Sequence, residues 1–456
     1  MPLITPELLT RFDVPGPRYT SYPTADRFGE NFHESDLLAA LAQRRAGRAE
    51  QPLSLYVHIP FCEALCYYCA CNKIITRHHE KAQPYLQLLA REVELCVQHL
   101  GAGQQVSQLH FGGGSPTFLS DEELRSLMAT LRRHFSFAPQ GEYSIEIDPR
   151  TVDEGRLAAL ADMGFNRISF GVQDFDPEVQ KAVHRVQPAE SVFALMAAAR
   201  RLGFTSINVD LIYGLPKQTP ESFARTLAQM RELRPERIAL YAYAHLPERF
   251  KPQRRINAEE LPGAANKVGM LAAALQSFED AGYDYIGMDH FALPDDPLAI
   301  AKRQGKLHRN FQGYSTQPDC DLVGLGVSAI SKVGAVYSQN AKTLEEYQAP
   351  LDAGHLPVVR GLTASADDLL RRTVIMAIMC QGRVRFADIE TAHGISFAEH
   401  FAAELERLRA MQGDGLVQVL PDAIQVTDTG WFFVRGVAMV FDTYVQSARA
   451  RFSKIL

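Results

Sequence analysis

Residues 61–74 read FCEALCYYCACNKI, with cysteines at 62, 66, 69 and 71. Four thiols crowded together form a metal-binding set, because thiolate sulfur binds zinc or the irons of an iron–sulfur cluster. The C-x3-C-x2-C-x-C spacing admits three outcomes. Zinc would be closed by all four sulfurs, and an electron-transfer cluster would be fully ligated too. Alternatively, three cysteines hold a 4Fe–4S cluster and leave one iron without a protein ligand. Zinc ribbons usually draw ligand pairs from two separated knuckles, which weighs against the first. Cys96, Cys320 and Cys380 are scattered and read as buried, inert thiols.

Polar residues recur where ligands would be met. GGGSPT at 112–117 lets backbone approach a ligand closely, since glycine has no Cβ. Glu146, in SIEID, is a lone carboxylate in an apolar strand and needs a partner such as an ammonium or hydroxyl group. Gln173 in GVQD and Asp210 in NVDLIYG end two further strands.

These residues need a scaffold. LSLYVHI (53–59), VSQLHFGGG (106–114), EYSIEID (142–148), RISFGVQD (167–174), SINVDLIYG (206–214) and RIALYAY (237–243) alternate as strands. Segments with three- and four-residue apolar spacing lie between them and predict helices, several ended by Gly or Pro. Six strand–helix alternations predict an α/β fold, a parallel sheet curled into an open six-unit (β/α) three-quarter barrel. Ligand groups then project from the carboxyl ends of its strands. The cysteine loop follows the first strand. Residues 1–50 read as an N-terminal leader and 51–360 as the barrel with an extension. From 361 to 456 a small winged-helix-like domain with a two-stranded wing is expected. The pattern dissolves over 250–360.

The bulk properties are those of a globular protein, with 46% hydrophobic and 22% charged residues and a formal charge of −6. Neither a basic signature for nucleic acid nor a run long enough to span a bilayer is present. MPLITPELLTRFDVPGPRYT has Pro and charge where a signal peptide needs an apolar stretch. A cytoplasmic protein is expected.

The C62-E-A-L-C66-Y-Y-C69 run, with six βα units behind it, resembles the radical S-adenosylmethionine family. The resemblance implies that Cys62, Cys66 and Cys69 hold a 4Fe–4S cluster, with Cys71 outside the ligand set. The open iron chelates S-adenosylmethionine, which an electron splits to a 5′-deoxyadenosyl radical and methionine. Within that family PGPRYTSYPT, PLSLYVHIPFC, CYYCACNKI, GFNRISFGVQDF, INVDLIYGLPKQTPESF and LHRNFQGYST resemble the oxygen-independent coproporphyrinogen III oxidases almost end to end. Cys71 and the PRYTSYPT leader favour this branch over a haem-handling one on the same barrel.

Carried over residue by residue, the resemblance places Tyr56 and Tyr68 beside the cofactor. Gly113, Gly114, Ser115 and Glu146 meet its methionine and ribose parts. Gln173, Arg185, Asp210, Ala244 and Ile330 complete the contacts, which extend to a second S-adenosylmethionine. Tyr56, Glu146 and Gln312 are the expected catalytic residues. Ser115 stands where Thr is common and Tyr68 where Phe is frequent, both mild departures.

The implied reaction is oxidative decarboxylation of two propionates of coproporphyrinogen III to the vinyls of protoporphyrinogen IX. The electron donor and acceptor are unidentified, and a monomer is expected. The substrate's four carboxylates need cationic partners, for which Arg18, Lys306, His308 and Arg309 are candidates. Gln312, Asp289 and His290 are expected to face the tetrapyrrole. The winged-helix-like domain suggests a DNA-binding sensor, but FADIETAHGISFAEHF is acidic, and a lid over the barrel is the better reading.

Overall fold

The computed structural model describes residue 8, residues 11 and 12, and residues 14–445. Part of the stretch read against a signal peptide, and residues 446–456 of the expected C-terminal domain, therefore lie outside the described residues.

Six parallel strands form the centre of one sheet: β1 (Leu53–Ile59), β2 (Gln104–Gly113), β3 (Phe135–Ile147), β4 (Arg167–Gln173), β5 (Ser206–Tyr213) and β6 (Arg237–Ala242). They are adjacent in that order, so each connection is a crossover carrying a helix, such as Ala82–Leu100 or Asp121–His134. Ser120 and Glu123 close a capping box on the latter, and Thr219 with Ser222 do the same on Pro220–Leu233. Each such cap is worth about 1 kcal/mol.

The strands alternate strictly. Leu109, Phe111, Ile145, Phe170, Val209 and Ile238 point outward and are buried under the helices. Inward positions carry polar side chains: Gln108 and His110, Ser144 and Glu146, Asn208 and Asp210. A parallel barrel covered by helices outside yet polar inside is built to hold something.

The sheet does not stop where the sequence rhythm does. Beyond β6 lie β7 (Asp284–Gly287) and β8 (His290–Ala292), with β8 antiparallel to β6. Beside β1 lies β9 (Asp321–Leu325), a further parallel strand, followed outward by antiparallel β10 (Ile330–Val333), β11 (Val336–Asn340) and β12 (Val358–Thr363). Residues 250–360 thus extend both edges, correcting the expectation of irregular chain. These strands are three to six residues long, too short for a two-residue period to stand out.

Helices Ala366–Gln381, Phe386–His393 and Ala402–Gly413 pack with a small sheet of Arg383–Arg385, Ala423–Val426 and Val417–Val419. The wing has three strands where two were expected; Arg383–Arg385 is too short to show a period. The leader is woven into this core. Tyr19 and Tyr22 are fully buried among Val374, Ile378 and Phe441. Tyr19 Oη donates to Asp442 Oδ2 at 2.8 Å, and Arg435 Nε donates to Pro17 O at 3.0 Å.

On helix Ala82–Leu100, Glu92 is buried with no ion-pair partner among the described residues. It accepts hydrogen bonds from Gly326 N (2.7 Å), Asn340 Nδ2 (2.6 Å) and Tyr347 Oη (2.5 Å). Burial pushes its pKa up to about 7 against these donors. Glu92→Ala strands three buried donors, each costing about 1–3 kcal/mol. The expected result is a loss of at least about 3 kcal/mol, seen as a large fall in the unfolding midpoint at pH 6.

Candidate active site

The cysteine loop leaves the carboxyl end of β1 and is strapped from below. Phe61–Cys62 pairs in parallel with Ile74–Ile75. Gly114 N donates to Ile59 O and Ser115 N to Phe61 O, both at 2.8 Å. A Cβ on Gly114 would lie 2.7 Å from the backbone of Pro60 and Phe61, so only glycine allows this approach. Gly113, at φ +112°, sits equally close to the His58 ring. Burial holds His58 low and neutral, so its Nε2 donates to Asn72 O while Nδ1 accepts from Tyr56, both at 3.0 Å.

Cys66 is buried, Cys62 and Cys69 are half-buried and Cys71 is exposed. Two guanidinium groups converge on Cys66 Sγ, Arg185 Nη1 at 3.3 Å and Arg150 Nη2 at 3.6 Å. Asp148 Oδ2 holds both, at 3.1 and 2.7 Å, and they keep its carboxyl low against the opposing effect of burial. Burial pushes the Cys62 thiol up to about 12. A hydrogen bond from Cys71 pulls Cys69 down to about 6 and drives Cys71 far upward. Among the described residues no three Cys, His, Asp or Glu side chains converge as a mononuclear metal site requires. A cluster carries its thiolates on separate irons. The thiol set, with guanidinium donors to a sulfur that becomes anionic, fits such a cluster.

Inside the barrel, Glu146 proves not to be lone. It accepts from His110 Nε2 at 3.1 Å and Gly113 N at 3.2 Å, and these hold its pKa low although burial works to raise it. The partner the sequence called for is in part the chain's own, since β2 supplies His110 on the same face. Glu146 still keeps 44% of its side-chain surface open to the cavity. His110 stacks on Tyr56, with ring centroids 5.9 Å apart. The under-satisfied carboxylate is Asp210. Burial, then the facing Glu146, push it up to about 7, and among the described residues only Asn208 Nδ2 (2.9 Å) and Ser169 Oγ (3.3 Å) donate to it.

The cavity continues past Asp210 to Tyr241, His290 and Gln312. Both amide atoms of Gln312, His290 Nδ1 and Arg309 Nη1 are buried without a hydrogen-bond partner among the described residues. Such groups are costly unless a ligand meets them. Arg18 pairs with Asp289 and lies over the Tyr241 ring, and Arg309 lies over Tyr314 at 4.6 Å. Asp289 is therefore spent on the leader. Lys306 is exposed and His308 lies beside Asp319 and Lys332, so neither is brought to the cavity.

Of the other expected contacts, Gln173 ends β4 at φ +72° and Arg185 donates from Nη2 to Gly171 O at 2.6 Å. Ala244 and Tyr68 both offer carbonyls to Gln253 Nε2, at 3.2 and 3.1 Å. Ile330 opens β10 with its backbone against Gly324. The Ser115 hydroxyl is 3.2 Å from Thr117 Oγ1, leaving chiefly its backbone for the loop. Sequence reading missed His110, Asp148, Arg150 and Tyr241. His110 and Tyr241 carried a signal, since each occupies an inward position in the period-two alternation of its strand.

Comparison with known proteins agrees with this geometry. A family model described as the Radical SAM superfamily matches residues 56–230, and one described as the HemN C-terminal domain matches residues 364–433. The oxygen-independent coproporphyrinogen III oxidase of Pseudomonas aeruginosa is 52% identical, the alignment covering 99% of this chain and 98% of that one. The chain belongs to the oxygen-independent coproporphyrinogen III oxidase family. The Escherichia coli K12 oxidase is 49% identical over 98% of both chains. The solved structure of coproporphyrinogen III oxidase from Escherichia coli, a radical SAM enzyme, superposes with a TM-score of 0.91 at 48% identity, covering 95% of this chain and all of that one. Both the expected fold class and the family resemblance are borne out. No helix among the described residues is long and apolar enough to cross a membrane.

Proposed function

We infer that this chain carries out the oxidative decarboxylation of coproporphyrinogen III to protoporphyrinogen IX without oxygen. The observation that carries the reading is a three-thiol loop at the carboxyl end of β1 together with a barrel cavity lined by Glu146, Asp210 and Gln312, whose amide has no partner among the described residues. Each reacting propionate gives up one hydrogen atom, carbon dioxide and one electron, leaving a vinyl. A side-chain base cannot take the unactivated β-proton at neutral pH. The bound 4Fe–4S cluster and S-adenosylmethionine supply a carbon radical that takes the hydrogen atom instead.

The positions of the chain's own residues support the following roles. Cys62, Cys66 and Cys69 hold the cluster, and Arg150 and Arg185 stabilise the anionic sulfur of Cys66. Gly113, Gly114, Glu146 and Tyr56 seat the first S-adenosylmethionine. Gln173, Arg185, Asp210, Ala244 and Ile330 border it, with room assigned to a second. Arg18 and Arg309 meet propionates, while Gln312 offers a donor and an acceptor to the tetrapyrrole. Of the leader read over 1–50 and the C-terminal domain read over 361–456, the described residues together close the mouth around the barrel of 51–360. Thiols held free for iron suit a reducing cytoplasm.

Asp210 offers a pH test. With its pKa near 7, it is protonated below that pH in the unliganded protein and ionised above it. A sulfonium cation binds better to the ionised form. Affinity for S-adenosylmethionine is expected to rise from pH 6 to pH 8 by up to about tenfold, and Asp210→Asn to be weaker and flat; equal pH dependence in both proteins would remove Asp210 from the site. The reading as a whole is tested by anaerobic turnover with coproporphyrinogen III followed by product mass. Loss of two carbon dioxide units and four hydrogens supports it, and unchanged substrate with cluster and cofactor bound overturns it.

A further inference from the structure

We propose that the outer face of the cysteine loop is the docking surface for a small acidic one-electron carrier protein. The proposal rests on the functional reading above, in which an electron must enter at this loop. No bond changes in the step: the carrier loses one electron and the cluster gains it.

Two segments flank the loop and are tied to it. On one side Lys73 Nζ donates to Cys69 O at 3.2 Å, and Ile75 pairs with Cys62. On the other, Gln253 Nε2 donates to Tyr68 O at 3.1 Å and Arg255 lies over the Tyr67 ring at 5.5 Å. The first segment carries Lys73, Arg77 and Lys81, and the second Arg249, Lys251, Arg254 and Arg255. All but half-buried Lys73 are exposed. None forms an ion pair with a carboxylate among the described residues. Three glutamates lie in the same segments. Glu63 and Glu80 are each occupied by a histidine, and Glu248 is the third. This basic excess sits on a chain whose formal charge is −6. Elsewhere guanidinium groups are commonly paired, as Arg201 is with Glu154 and Arg303 with Asp284.

Apolar surface marks the same face. Ile75, Val186 and Leu246 are 42, 58 and 40% exposed, three of the seven large hydrophobics so exposed among the described residues. Val186 follows Arg185, whose guanidinium reaches Cys66, and Leu246 N donates to Gln253 Oε1 at 2.6 Å. An apolar centre within a charged rim is the anatomy of a transient interface. The sign of the rim selects an acidic partner and steers its approach.

The experiment uses the full chain with its cluster reconstituted, and a chemically reduced acidic flavodoxin as probe. Bleaching of the cluster is followed by stopped flow at low and high salt. The triple variant R249E/K251E/R254E is expected to be reduced at least tenfold more slowly than native protein at low salt. Added salt should slow the native reaction and hardly alter the variant. Iron content, and methionine release driven by dithionite, should match native. If the triple variant takes up no iron, R77E/K81E is measured in its place with the same expectation. Equal rates with flavodoxin overturn the docking surface, as does an equal loss with dithionite. Absence of methionine release from native protein with dithionite overturns the functional reading itself, and the docking surface with it.

Discussion

Cys66→Ser protein, prepared and reconstituted without oxygen, is expected to lose its 4Fe–4S spectrum and to cleave S-adenosylmethionine at least about 1,000-fold more slowly. Cys66 is the buried member of the set, and two guanidinium groups are aimed at its sulfur. A hydroxyl there is a far poorer ligand for iron than a thiolate and takes the anionic sulfur away from both cations, which keep Asp148. Cys62→Ser and Cys69→Ser should behave alike. Cys71→Ser should not, because Cys71 is the exposed member of the set and lies outside the three-cysteine spacing. Iron analysis and electron paramagnetic resonance of the four proteins decide the matter. Equal loss of iron in Cys71→Ser would make all four sulfurs ligands and remove the open iron.

Glu146→Gln is expected to keep the cluster but to slow cofactor cleavage about 100-fold, which is about 2.7 kcal/mol at the barrier. The carboxylate accepts from His110 and from Gly113 N while keeping 44% of its side-chain surface open to the cavity. An amide has one acceptor atom and must turn its donor toward either His110 or the Gly113 N–H. It also removes the negative charge that faces a cationic cofactor. Unchanged cleavage at saturating S-adenosylmethionine, with only binding weakened, would reduce Glu146 to a binding residue. Since Glu146 also helps push Asp210 upward, the variant should lower the midpoint of the affinity–pH curve.

Much of this site is legible from local rules. The period-two alternation of β2 to β6 separates outward apolar from inward polar positions, and the cysteine spacing names its own chemistry. Glu146, Gln173 and Asp210 were visible as polar breaks near strand ends. The loss came where geometry is set by distant chain. Nothing in SIEID shows that His110, from the neighbouring strand, will donate to Glu146. Nothing in EIDPR shows that Arg150 and Arg185, far apart in sequence, will share Asp148 over one sulfur. Lys306 and His308 read as propionate partners by charge alone, yet Asp319 and Lys332 surround His308 instead. The edge strands from 284 to 363 are three to six residues long, too short for a period to emerge.

The interlock of Tyr19 with Asp442 spans 423 residues. A ribosome adding about 5–20 residues each second needs roughly 20 to 80 s between the two. Throughout that interval the buried aromatic rings of the leader have no finished home, although every barrel strand up to β6 is made well before it ends. The emerging polypeptide can thus complete its iron-holding half first, and the porphyrinogen-holding half is sealed as nearly its last act of assembly.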